Sequence, residues 1–202
     1  NLMKKWLIPA IIIGLIVFAL YSWGKNFNNT AVELNENVSE AWGNVETSYQ
    51  RRNDLIGNLV NTVKGAADFE RGTLTDVIEA RSKASQTNID PSNISPEQLK
   101  QFNEAQGGLS SALSRLLVTV ERYPELKANE NFLKLQDELT STENTIQTAR
   151  TRYNEAIKPY NNHVKKFPNS ILAGMLDFDD KAYFNAETGA DKPVEVDFDF
   201  NS

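Results

Sequence analysis

One histidine, three aspartates within four positions, a glycine pair and an arginine pair are the groups on this chain whose types and spacing could do chemistry. His163 stands alone, so neither a serine-histidine-aspartate arrangement nor a histidine-pair metal site can be assembled. It reads as a solvated or capping histidine near a helix end. Asp177, Asp179 and Asp180 could offer oxygen ligands to a divalent cation, but the glycine and closing glutamate of a calcium loop are missing, and solvated carboxylates are the expectation. Gly107-Gly108 lacks the lysine and hydroxyl that complete a phosphate cradle and reads as a helix irregularity. Among 27 acidic residues no general acid can be picked out, because burial and pairing decide that role. No catalytic, cofactor-binding or metal-binding residue is therefore assigned.

The arginine pair carries more information. Arg51, Arg52 and Asp54 precede Leu55-Ile56, and Arg52 falls on an apolar stripe at helical spacing. Buried there it needs a carboxylate, and Glu143 is the candidate partner. Pairing between helices is one reading. The other is an interaction patch of Arg51, Arg52, Asp54 and Asn58 with the turn residues Tyr123, Pro124 and Asn129.

Long helices must position these groups. Ala31, Leu34, Val38, Trp42, Val45, Tyr49, Leu55, Leu59 and Val63 recur at steps of three and four, which predicts a helix of up to about 40 residues that could continue the segment before it. A weaker pattern follows from Leu74 to Ala84, and the turn formers of residues 87–96 predict the first hairpin. Ser95-Pro96-Glu97-Gln98 reads as an N-cap, a proline at the first helical position, then an acid and a glutamine in the first turn. Leu99, Phe102, Leu109, Leu116 and Val120 carry the next stripe, which Tyr123-Pro124 closes. A last long stripe runs from Leu126 to Tyr160, and Pro159 is expected to kink or end it. Beyond Phe167-Pro168 the chain turns apolar and acidic by turns. Val194, Val196, Phe198 and Phe200 alternate with acids, so an extended segment is expected that lies along the bundle or pairs elsewhere.

Residues 6–24, WLIPAIIIGLIVFALYSWG, hold no charge and span about 28 Å as a helix, close to the hydrocarbon thickness of a bilayer. Trp6 at one end and Tyr21 and Trp23 at the other suit the headgroup level. A cleaved signal would be shorter and end in small residues, which Tyr21-Ser22-Trp23-Gly24 does not supply, and no cysteine is present for acylation. Lys4 and Lys5 precede the span against Lys25 after it, which places the N-terminus in the cytoplasm and the domain in the periplasm or outside the cell. Beyond residue 30 the chain keeps 18 of its 21 basic residues against all 27 acids, net −9. That balance argues against nucleic acid, which needs a basic patch.

The run Arg51 to Gly65, RRNDLIGNLVNTVKG, resembles the hallmark segment of the LemA family of bacterial membrane-anchored proteins. Glu79-Ala80-Arg81, Tyr123-Pro124-Glu125-Leu126-Lys127-Ala128-Asn129, Leu135-Gln136, Thr142-Glu143, Ala149-Arg150, Tyr153-Asn154 and Tyr160-Asn161 extend the resemblance over about residues 30–168. Gly57 departs from it, standing where a proline is expected. The resemblance implies a membrane-anchored helical bundle without an established enzymatic activity.

The expected architecture is all-α: a short segment 1–5, a transmembrane helix 6–24, an antiparallel bundle of three to four long helices over 25–168, and an acidic, partly extended tail over 169–202. The expected function is a non-enzymatic, single-span scaffold or adaptor in the bacterial cytoplasmic membrane. Its partners would be the bilayer through residues 6–24, further copies of itself and a membrane protein. The alternative is an accessory or regulatory subunit of a membrane enzyme such as a protease or phosphatase.

Overall fold

The computed structural model describes residues 2–66 and 69–185, with side chains from Trp6 onward, and they are helical without a strand. The first helix, α1, runs without a break from Leu2 to Lys64, 63 residues and about 95 Å. Pro9 lies inside it. The apolar span and the first bundle helix are thus one element. Its character changes along its length: side chains from Trp6 to Tyr21 are exposed, whereas Phe27, Ala31, Val38, Trp42, Val45, Ile56, Leu59 and Val63 are buried.

The chain first reverses at residues 65–70, earlier than the turn formers of 87–96 suggest. Gly65 and Ala66 close the last turn of α1 through bonds from their amides to Thr62 O and Val63 O. Glycine is a poor helix former, and the helix ends just before Gly65 although the apolar pattern continues beyond it. The second helix, α2 (Arg71–Gln86), returns along α1. The 87–95 turn is then the second reversal, tightened where Asp90 Oδ1 accepts from Ser92 N and Ser92 Oγ.

The third helix, α3 (Pro96–Val120), starts at the expected box: Gln98 N donates to Ser95 Oγ, and Ser95 N donates to Gln98 Oε1. It passes Gly107 and Gly108 without irregularity, because both face open solvent. One turn, α4 (Pro124–Lys127), separates α3 from the long α5 (Glu130–Lys165), whose N-cap is Asn129, with Oδ1 accepting from Phe132 N at 3.1 Å.

Pro159 neither ends nor stops α5, which continues to Lys165. Pro159 and Glu155 are both exposed, so the carbonyl left without a donor is on the watered face. Ile157, Tyr160, Asn161 and Val164 are meanwhile buried on the other side. The expected tail begins as a helix, α6 (Asn169–Met175), and residues 176–185 then lie against the bundle without regular structure. The alternating Val194 to Phe200 lies outside the described residues.

Cross-contacts fix the order. Arg52 meets Glu143, Trp42 meets Tyr153 and Phe27 meets His163, so α5 runs antiparallel to α1. Asp76 faces Arg115 at 3.9 Å and Glu70 faces Arg122 at 3.1 Å, so α2 and α3 are antiparallel as well. The half near Lys64, here the distal half, is built from α1, α2, α3 and α5 around Ile56, Leu59, Leu109 and Leu116. The half toward Trp23 is built mainly from α1 and α5, with Ile89 and Ile94 of the turn and Phe184 of the final segment filling its core beside Trp42, Phe102 and Tyr153.

Candidate functional site

Arg52 occupies the seam between the two apolar cores and is only 4% exposed. Its Nη1 donates to Ser110 Oγ at 3.2 Å and Glu143 Oε2 at 3.3 Å. Its Nη2 donates to Gln106 Oε1 at 2.6 Å and reaches Gln106 O at 3.4 Å. The Tyr49 ring lies 4.9 Å from the guanidinium carbon. Glu143, the partner expected from the sequence, is half-exposed at 49%, so water shares in solvating the pair. A planar five-donor cation suits this place because from α1 it can bond α3 and α5 at once.

Asn53, also buried, extends the layer. Its Nδ2 donates to Ser85 Oγ at 3.2 Å, and its carbonyl accepts from Arg81 Nε at 2.8 Å. Arg81 explains the departure at Gly57. A Cβ there would sit 3.0 Å from the Arg81 guanidinium, so glycine gives that group room beside α1. Arg52 Nε and Asn53 Oδ1 have no hydrogen-bond partner among the described residues.

Of the remaining patch residues, Arg51, Asp54 and Asn58 share one exposed face of α1, whereas Tyr123, Pro124 and Asn129 lie apart from them. Arg51 and Asp54 are exposed along an open cleft of about 610 Å³ between α1, α2 and α3, where Gln50 Nε2 donates to Asp54 Oδ1 at 3.0 Å. Asn58 is exposed on α1, and its carbonyl accepts from Thr62 Oγ1. Tyr123, Pro124 and Asn129 belong to the distal turn, where Tyr123 packs on Phe69 at 4.8 Å between ring centres. Arg52 lies about 18 Å back along α1 from its distal end. Arg52 is thus part of an inter-helix layer, and Asn129 is a helix cap.

A second constellation is absent from the sequence reading. Tyr153-Asn154 and Tyr160-Asn161 repeat after seven residues on α5, and each asparagine holds the backbone of the final segment by two bonds. Asn154 Nδ2 donates to Phe184 O and accepts from Phe184 N, both at 2.8 Å. Asn161 does the same with Lys181, both at 2.9 Å. Tyr153 Oη donates to Ala182 O and Tyr160 Oη to Asp179 O. The spacing has a geometric reason: seven helical residues rise about 10.5 Å, and three extended residues cover about 10 Å. The repeated dipeptide was the available signal.

Lys181 is fixed within this segment, 3% exposed, with Nζ donating to Pro91 O at 3.0 Å and Ser92 O at 2.6 Å. Burial pushes its pKa down, against the opposing effect of Asp90. Burial raises the Tyr153 phenol and pushes Tyr160 up to about 12, with the Asp179 and Asp180 carboxylates adding to the rise at Tyr160. Of the three aspartates, Asp180 pairs with Lys165 at 2.6 Å and Asp177 holds a left-handed turn at φ 55°.

At the proximal end His163 is a connector. It stacks on Phe27 at 4.9 Å, its Nε2 lies 3.0 Å from Phe27 O, and its Nδ1 lies 3.4 Å from Asn169 Nδ2. Asn169 Oδ1 accepts from Trp23 Nε1 at 3.2 Å. The carbonyl can only accept, so Nε2 carries the proton and Nδ1 accepts from the amide. The relay joins α1, α5 and α6 and leaves no nitrogen of His163 for a metal or a substrate.

Trp6 and Tyr21 are exposed and Trp23 is partly covered; between them one face after another of α1 is apolar and bare. This is a helix long and apolar enough to cross a membrane.

The chain is similar to known proteins over most of its length. A model of the LemA family matches residues 41–198. Magnetosome protein MamQ 2 of Paramagnetospirillum magneticum is 28% identical over 183 residues, covering 82% of this chain and 67% of that protein. Magnetosome protein MamQ of Magnetospirillum gryphiswaldense is 26% identical over 183 residues with the same coverage. Protein LemA of Metamycoplasma hominis is 27% identical over 184 residues, covering 91% of this chain and 79% of the relative.

Proposed function

The chain belongs to the LemA family, and from that premise we propose that it is a membrane-tethered structural protein, a scaffold or adaptor that holds a helical bundle upright on a bacterial membrane. One observation carries the reading: the bare apolar segment and the buried bundle stripe lie on the same unbroken helix. With residues 6–24 in the bilayer, the rest of α1 projects about 60 Å beyond it. A continuous helix transmits position and orientation, which is the property a scaffold needs.

A non-catalytic role is supported by where the polar side chains go. Among the buried ones, Arg52, Asn53, Gln106, Asn161 and Lys181 join helices to one another or to the final segment, and Ser48 and Thr119 bond carbonyls of their own helices. The relatives named for the magnetosome carry the name of a structure and not of a reaction, which agrees with this role. The cytoplasmic placement of the N-terminus rests on Lys4 and Lys5 alone.

Self-association belongs to the same proposal. The stripes of α1, α3 and α5 are covered within one chain, so a further copy would meet what they leave exposed, such as Val118 and Leu133 at the distal end. The test is the mass of the intact protein extracted in mild detergent. A multiple of the 22.7 kDa chain is expected, and a homogeneous monomer would overturn self-association.

A further inference from the structure

If residues 6–24 cross the bilayer, Trp23 sits at headgroup level, and the inference below rests on that reading. Asn169, the first residue of α6, is hydrogen-bonded to Trp23 Nε1 at 3.2 Å, so α6 begins at the same level. It forms the proximal cap of the bundle, with Ala173 buried and Leu172 packed on the core. Its other side is bare, with Ile171 and Met175 exposed beside Ser170 and Gly174. Phe167 is 83% exposed and Met175 74%, with Ile171 between them and Leu176 beyond. Ile171 and Met175 stand four residues apart on one face of α6, and exposed Phe167 immediately precedes the helix. A bundle cap that looked into water would carry polar residues there.

The charges at this end are compatible with a lipid surface. Lys25 and Lys166 are exposed, Lys165 is engaged by Asp180, and the acids Asp177 and Asp179 lie in the turn that leads back up the bundle. We propose that α6 is a second membrane contact, its Phe167, Ile171 and Met175 lodged in the headgroup–acyl boundary beside the point where α1 emerges. Seven residues would not bind a bilayer alone, but tethering by α1 makes the contact intramolecular. A single helix leaves the bundle free to spin about the span and to tilt, whereas a second contact off the axis fixes both.

The chain has no cysteine, so a single environment-sensitive dye can be placed on the full-length protein in phosphatidylcholine vesicles. Three variants are compared: Met175→Cys, Ile13→Cys in the span and Ser114→Cys on the exposed side of α3. Each is measured with lipids carrying a nitroxide near the headgroup or near the chain end. The expected result is a blue shift at 175 with emission lost mainly to the shallow nitroxide, as for side chains about 5–10 Å deep. Position 13 should lose emission mainly to the deep one and position 114 to neither. Quenching at 13 without quenching at 175 overturns the α6 contact while the span stands. A blue shift at 175 without lipid quenching also overturns it, since protein then covers the face. Absence of quenching at both 13 and 175 sinks the span and the α6 contact together.

Discussion

At the scale of single residues, Arg52 ties α1 to α3 and α5, because it is a buried cation bonded to three other side chains on two helices. Removing it strands Gln106, whereas removing half-exposed Glu143 leaves Ser110 and Gln106 in place. We expect Arg52→Ala to lower stability by about 2–4 kcal/mol and Glu143→Ala, which leaves the buried guanidinium without its carboxylate on a side that water reaches, by about 1–2 kcal/mol. Chemical denaturation of the two variants checks this, and equal losses would contradict it. The tyrosines of the ladder predict a pH dependence. Tyr160 is pushed up to about 12 and Tyr153 is also raised, while both titrate near 10 when unfolded. Their stabilising effect is complete below pH 10 and lost as pH rises from there toward 12, because the unfolded chain gives up protons the folded one keeps. Lys181 has the opposite sign, its lowered pKa favouring the fold as pH rises toward 10.5. Thermal midpoints should therefore fall above pH 10, and the fall should be shallower in the Tyr153→Phe/Tyr160→Phe double variant. An unchanged slope would remove the tyrosines from the account.

At the scale of elements, the asparagine ladder is a separable device. Asn154→Ala with Asn161→Ala removes four bonds to the backbone of the final segment and none within a helix. The expected outcome is faster hydrogen exchange at the amides of Lys181 and Phe184 with helix content unchanged, and unaltered protection would show that apolar packing of Phe184 alone holds the segment. Which elements were legible follows from how each is stabilised. α3 could be read to its capping residue because Ser95, Pro96 and Gln98 act locally. The stripe of α1 could be read because burial at Trp42, Ile56 and Val63 follows helical spacing. The reversal at Gly65 was missed because one terminating glycine competes with apolar residues on both sides. That α5 runs on past Pro159 instead of ending there depends on which face is wet, and spacing alone left both outcomes open. The ladder depends on contacts between α5 and a segment about 20–30 residues later in the chain, and the repeated Tyr-Asn dipeptide marks only the α5 side of them.

At the scale of the whole molecule, the protein is a post: one helix from the apolar span to the distal turn, a bundle folded back around its outer part, and a polar layer midway that sets register. The partner of Arg52 was legible because a cation on an apolar stripe demands a carboxylate. The wider patch was not, because Arg51 and Tyr123 belong to one sequence pattern but to different ends of a bundle half. The central claim is that the helix is continuous where it leaves the membrane, and it is tested most directly by a spin-label distance. Tyr21→Cys and Asn61→Cys, both exposed positions on α1, would be labelled in the full-length protein in a lipid nanodisc. An unbroken helix predicts a narrow distribution centred near 60 Å. A broad or much shorter distribution would mean that span and bundle are joined by a hinge, and the post would not exist.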